Sequence, residues 1–206
     1  MKQQKNKWWY ILKVIASLTI LSFFISIIIS LFTEDDFEGL DGNTALIKIS
    51  GAIVSEKGTS FLFEDATSSD EIIKLIRKAD KNDKIKAIIF EINSPGGSAV
   101  ASEEIANEIK KTNKTTVAWI REAGTSGAYW IASSTDYIIA NRMSITGSIG
   151  VIASYLGFSG FLEEHNVTYE RLVAGNLKDM GIPFKGLTPE ERALFEKSLA
   201  FLHVII

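Results

Sequence analysis

At 206 residues, 46% hydrophobic and 23% charged, with a formal charge of −3, the chain has room for one compact domain plus an appendage. It contains no cysteine, which excludes disulfides, thiolate nucleophiles and thiolate metal sites, and only His165 and His203 supply imidazoles. Four of the 22 basic residues and none of the 25 acidic ones fall in the first 33 positions; the rest holds 18 basic against 25 acidic residues, a balance that argues against nucleic acid as a partner.

Val14 to Phe32 runs 19 residues without a charge or a proline. As a helix rising 1.5 Å per residue it spans about 28 Å, close to the roughly 30 Å hydrocarbon core of a bilayer. Trp8, Trp9 and Tyr10 stand where an interfacial aromatic belt belongs. Lys2, Lys5, Lys7 and Lys13 precede the span, while Glu34, Asp35, Asp36, Glu38 and Asp41 follow it. That lysine excess predicts a cytoplasmic N-terminus at 1–13, a transmembrane helix at 14–32 and the remaining chain outside the cell membrane. A cleaved signal peptide would have a shorter apolar region and an A-x-A-like end, which "SLFTEDD" lacks, so a single-pass anchor is expected. Residues 33–43, polar and glycine-containing, read as a linker to an extracytoplasmic domain at 44–206.

Thr44 to Ser50 alternates as a strand should. Ser68-x-x-Glu71 forms a capping box, after which Ile72, Ile73, Leu75, Ile76 and Ala79 recur at helical spacing. "IKAIIFEI", Ile85 to Ile92, predicts a buried strand, and Ser98 to Lys111 an amphipathic helix capped by Ser98. "TTVAWI" predicts a strand, Ser126 to Ser134 a short helix, and "DYIIA" a strand again. Val167 to Ala174 is expected as a late strand, and Thr188-Pro189-Glu190-Glu191 starts the final helix with cap, proline and glutamate in order. Strands alternating with helices predict α/β layers around a largely parallel sheet.

"EINSPGGSAV", Glu91 to Val100, lies at the C-terminal end of a predicted buried strand, where ligand crevices form in open α/β sheets. Pro95-Gly96 has the residue order of a type II turn, with positive φ at the glycine. Gly97 then offers an unhindered N–H near a helix N-terminus, which suits an oxyanion hole as well as it suits a tight turn. Ser126 also opens a helix, and Gly127 supplies a second bare N–H directly after it. A nucleophile needs an exposed hydroxyl, donors for the developing oxyanion and space for a peptide backbone. Neither histidine has a setting suited to a general base; both read as surface residues. Lysine is the remaining common base, provided that loss of water lowers its pKa. Residue chemistry alone does not choose among the lysines.

"INSPGGS", then "TSGAYWIAS" with Ser126 placed 29 residues after Gly97, then "TGSIGV" at Thr146 to Val151, resembles the signal peptide peptidase A family of membrane-anchored serine proteases. The resemblance runs from about Thr44 to Glu196. It implies the fold shared by Clp proteases and crotonases, a spiral of β-β-α units, and a serine endopeptidase with a Ser-Lys dyad. Clp proteases share "INSPGG" but use histidine. The resemblance assigns Ser126 as nucleophile, Lys178 in "GNLKDMGIPFKGLTPEER" as general base with Lys185 its nearest competitor, and Gly97 and Gly127 as oxyanion donors. It gives Ser148 the task of orienting the lysine, with Thr146 an alternative, and Gly96 that of shaping the loop. It further implies remnant signal peptides or other apolar peptides as substrates, the bilayer as a partner, and a homo-oligomer in which serine and lysine can come from neighbouring subunits.

Three other readings stand beside it: a similar Ser-Lys protease that cuts a stomatin-like membrane protein, an inactive membrane scaffold of the same fold, and a crotonase-type acyl-CoA enzyme. No motif points to a metal, nucleotide or flavin, so no cofactor is expected. Ala128 in "GAYW" replaces a glycine usual in the family. The family's "DGR…G…A…GLVD"-like segment is not found before Ile206, which makes a truncated C-terminal part the expectation.

Overall fold

The computed structural model describes residues 4–32, 42–56 and 66–205. The chain divides into two compact units, Met1–Gly39 and Leu40–Ile206. In the first, α1 runs without interruption over Gln4–Phe32. Its Trp8–Ile27 stretch has a mean hydropathy of 2.1 and is wholly unburied, so it is long and apolar enough to cross a membrane. Lys13 Nζ lies 3.5 Å above the Trp9 ring centroid, a cation–π contact near the start of that stretch. Nearly all of the predicted linker, residues 33–41, falls outside the described residues.

The second unit is built on one six-stranded sheet whose pairings are all parallel. Its strands are β1 (Thr44–Val54), β2 (Thr67–Ser68), β3 (Ala87–Gly97), β4 (Thr115–Thr125), β5 (Tyr137–Ala140) and β6 (Ile145–Gly147). The order is β2-β1-β3-β4-β5, with β6 also on β4. Helix α2 (Ser69–Lys81) carries the chain from β2 past β1 to β3, α3 (Ala99–Lys111) and α4 (Gly127–Ser133) return it between parallel neighbours, and α5 (Ser159–Glu164) and α6 (Pro189–Ile205) follow the sheet.

Two of the long strands break register partway, β1 between Ser50 and Ala52 and β3 between Ile92 and Ser94. The lower half of β4 carries β5, with Val117 beside Tyr137 and Ile120 beside Ala140. Its upper half carries β6, with Ala123 beside Ile145 and Thr125 beside Gly147. On β1 the upper half likewise takes β2. The long strands β1 and β4 thus each take a short strand on their upper ends, in keeping with the β-β-α units of a Clp-like spiral. Ile47, Ile49, Ile88, Phe90, Ile92, Ala118 and Ile120 from the lower halves fill the core with Ile76, Ile105, Ile109 and Ile131 from the helices. These are β-branched and apolar residues at the alternating positions that a half-buried strand requires.

Three local expectations change. Val167 to Ala174 has no strand partner among the described residues and runs as irregular chain, because its apolar side chains have no sheet to join: Leu172 is 93% exposed. Ser68 does cap α2, but its hydroxyl donates to Ser55 O (2.9 Å) instead of closing the capping box. Ile145–Gly147, for which no strand was expected, is a strand that reaches the Ser126 segment. Elsewhere the caps fall where predicted. Ser98 Oγ accepts from Ala101 N (3.4 Å), and Thr188 and Glu191 cap each other reciprocally at 2.9 and 3.2 Å.

Candidate active site

The C-terminal ends of β3 and β4 bring two loops into contact. On β3, Ser94 Oγ donates to Gly51 O (2.6 Å) and accepts from Gly96 N (3.1 Å), locking the turn that gives Gly96 its φ of +95°. A Cβ on Gly96 would lie 2.9 Å from Ser126 Cβ and 2.9 Å from Gly127 N. The glycine loop therefore lies directly against the serine turn. One on Gly97 would sit 2.1 Å from Ile53 O, so only glycine lets β3 pass this close to β1.

Ser98 N donates to Ile53 O (2.8 Å). In a parallel bridge between Ile53 and Gly97, that bond turns the N–H of Gly97 away from β1. Gly97 N lies 3.6 Å from the place where a Gly127 Cβ would stand, and Gly97 itself is exposed. Two backbone amides thus approach one another beside Ser126.

Ser126 links β4 to α4 with φ 53° and ψ −125°, a conformation that L-residues rarely adopt. Such strain costs on the order of 1–3 kcal/mol and persists only where neighbours enforce it. Here Ser126 N donates to Gly147 O (2.8 Å) and Trp130 N to Ser126 O (3.0 Å), fixing the residue from both sides. Its hydroxyl accepts no helix-capping bond, and the residue is half-buried. A strand-to-helix turn can raise a serine hydroxyl out of the backbone, as the nucleophile turns of α/β-hydrolases do.

Ser148 follows Gly147, so β6 delivers it beside the serine turn; it is exposed and has a φ of 54°. Lys178 lies elsewhere in the chain, in the turn at residues 174–180, and is exposed. Its backbone N donates to Gly175 O (3.2 Å), and no hydrogen bond or ion pair among the described residues ties this turn to Ser126. Lys185, by contrast, is held by Glu191, with Asp179 3.7 Å away. Its pKa is raised, chiefly by the hydrogen bond to Glu191, which keeps it protonated. His165 is exposed and stacks on Phe161 at 4.1 Å, and His203 is exposed on α6.

Two supporting residues had no sequence signal of their own. Ser102, buried on α3 with its hydroxyl donating to Ser98 O (2.9 Å), fills the space beside Gly127: a Cβ there would fall 2.2 Å from Ser102 Oγ. Ser94 is hidden inside the "INSPGG" run and looks like one more turn residue until its two bonds are seen.

The profile of peptidase family S49 matches residues 108–203. The chain is 33% identical over 157 residues to the chloroplastic serine protease SPPA of Arabidopsis thaliana, covering 75% of this chain and 23% of that one. It is 36% identical over 126 residues to Protease 4 of Haemophilus influenzae, covering 60% of this chain and 20% of that one. The chain spans about half or less of the length of the curated relatives it matches. Among solved structures, a mutant of the 1510-N membrane-bound stomatin-specific protease with a substrate peptide aligns at a TM-score of 0.46 and 23% identity, over 56% of this chain and 49% of that one. By sequence, the chain resembles peptidase family S49 over residues 108–203, and the relatives named above are proteases.

Proposed function

We propose that this protein is a membrane-anchored serine endopeptidase that cleaves apolar peptides, remnant signal peptides among them, at the outer face of the membrane. The observation that carries the proposal is the strained Ser126 turn, packed against Gly96 with the amides of Gly97 and Gly127 beside it. Strain at a serine whose hydroxyl has no bonded partner among the described residues is what a poised nucleophile requires.

Ser126 Oγ attacks the scissile carbonyl while its proton passes to the neutral amine of Lys178. The carbonyl oxygen becomes an oxyanion held by the N–H groups of Gly97 and Gly127. As the C–N bond breaks, Lys178 returns the proton to the leaving amine, and water then hydrolyses the acyl-enzyme. Ser148 orients the amine. The firm ion pair of Lys185 supports Lys178 over its nearest competitor, because a protonated lysine accepts nothing.

Within one chain Lys178 is exposed, whereas a lysine base needs a dry setting. A second copy supplies it. Apolar residues left open after β6, among them Ile149 (57%), Ile152 (89%) and Leu156 (75%), support such an assembly. Helix α1 anchors the protein with residues 1–13 in the cytoplasm, holding the site near substrates that are themselves apolar and lodged in the bilayer.

Ser126→Ala and Lys178→Ala should each lower turnover of an apolar fluorogenic peptide by about 10³-fold or more, with near-native melting curves. A fluorophosphonate probe should label Ser126, as read by mass spectrometry of the intact protein. Labelling elsewhere, or none with folded protein, ends the proposal.

A further inference from the structure

The turn that carries Lys178 has no regular secondary structure, yet four charged side chains close around it. Arg171 grips Asp179 side-on, Nε to Oδ2 at 2.6 Å and Nη2 to Oδ1 at 2.9 Å, and Nη2 also donates to Asn176 O (3.2 Å). Lys185 Nζ sits 3.7 Å from Asp179 Oδ1 and donates to Glu191 Oε1, whose other oxygen accepts from Thr188 N (2.9 Å). The two acids are the inner members: the side chains of Asp179 and Glu191 are 8% and 2% exposed. Asn176 and Asp179 bracket Lys178, so the network grips the turn on both sides of it.

The same network ties together three stretches that are otherwise far apart in character. Arg171 comes from the irregular 167–173 run, Asp179 from the lysine turn, and Glu191 from the first turn of α6. Tyr169 packs on Phe184 at 5.6 Å between ring centroids and Phe158 N donates to Pro183 O (2.7 Å), so apolar contacts and a backbone bond brace the same region. A bidentate Arg–carboxylate pair fixes direction as well as distance, which a lone surface ion pair does not. Dry carboxylates left without partners would be costly, so the four charges hold one arrangement or none.

We propose that Arg171, Asp179, Lys185 and Glu191 are positioning residues that set the Lys178 turn for proton transfer from Ser126. This rests on the reading of Lys178 as the base. The network contributes no atom to the reaction; it fixes where the amine points. Misplacing a catalytic group by about 1 Å costs on the order of 10²-fold in rate with little effect on substrate binding.

The test measures kcat and KM of the full chain in detergent micelles, normalised to Ser126 titrated with a fluorophosphonate, for wild type, Lys178→Ala, Arg171→Met, Arg171→Lys and Asp179→Asn. The expected result is a fall in kcat of about 10- to 100-fold for Arg171→Met with KM within about 2-fold, and partial recovery in Arg171→Lys, which keeps the charge but not the fork. Should Arg171→Met fail to fold, Asp179→Asn, nearly equal in shape, is expected to give the same split. Wild-type kcat in Arg171→Met, or in Asp179→Asn, together with an inactive Lys178→Ala overturns the positioning role alone. Full turnover in Lys178→Ala overturns the reading of the base and the positioning role with it. A loss of activity per milligram of protein that only tracks a loss of titratable serine, at unchanged kcat per labelled site, marks the network as purely structural and also overturns the proposal.

Discussion

Around Ser126 backbone meets backbone: Gly96, Gly97 and Gly127 sit where any Cβ would overlap a neighbouring main chain or the Ser102 side chain, over a core in which Phe90, Ile92 and Ile120 are completely buried. Around Lys178 there is no regular secondary structure, and charge does most of the holding, through Arg171, Asp179, Lys185 and Glu191. The difference is one of mechanism. Steric fixation tolerates salt and pH but admits no extra atom, whereas ionic fixation admits substitution in size but depends on protonation. If the two regions form one site, as proposed, that site fails in two distinguishable ways.

The largest effect separates the two regions by stability. Phe90→Ala, with no exposure in the parent, should cost about 3–5 kcal/mol, while Leu172→Ala, 93% exposed, should fall within about 0.5 kcal/mol of wild type. Urea denaturation followed by Trp119 and Trp130 fluorescence reads both. Equal costs would mean that the C-terminal segment is packed as tightly as the sheet, and the contrast would dissolve.

A second experiment sharpens the steric side. Gly97→Ala and Gly127→Ala should each lower turnover by about 10²- to 10³-fold by moving a proposed oxyanion donor. They differ in their cure. The obstacle at Gly127 is the Ser102 side chain, so adding Ser102→Gly should restore part of the activity of Gly127→Ala. The obstacle at Gly97 is the main chain of Ile53, which no substitution at position 53 removes. Rescue of both, or of neither, would show that close approach is not what these glycines provide.

The steric side was also the legible side. Alternation placed β1, the apolar runs "IKAIIFEI" and "TTVAWI" placed β3 and β4, the Ser98 and Thr188 caps placed α3 and α6, and the Pro95-Gly96 order anticipated a positive φ. Glycine and serine in fixed order carry their geometry locally, within a few residues. What stayed hidden depends on distant partners. Val167 to Ala174 has strand-like residues but no strand to pair with, and a strand exists only in a ladder. Ser102 looks like an ordinary helix residue until Gly127 is set against it. Arg171 and Asp179 are eight positions apart across an irregular run, a spacing that belongs to no helix or hairpin rule, so their pairing had no periodic signature. The family resemblance could point to Lys178 but not to what steadies it.

The ionic side should yield to acid before the steric side does. The carboxyls of Asp179 and Glu191 are held below their ordinary range, chiefly by the hydrogen bonds from Arg171 and Lys185 respectively. A depressed folded-state pKa means that the unfolded chain binds more protons near pH 4, so stability rises with pH there. The contribution is complete above about pH 4–5 and is lost as pH falls through the folded values. Lys185 and Arg171 are shifted upward, so their share is lost only at strongly alkaline pH and does not vary between pH 3 and pH 7. Hydrogen exchange of the α6 amides from Glu191 to Leu194, followed between pH 7 and pH 3, should show protection falling at the acid end while the β3 amides from Ile88 to Ile92 stay protected. In Glu191→Gln that pH dependence should flatten, with weaker α6 protection already at neutral pH. Acid loss that is equal in α6 and β3 would place both regions in one cooperative unit and remove the distinction between them.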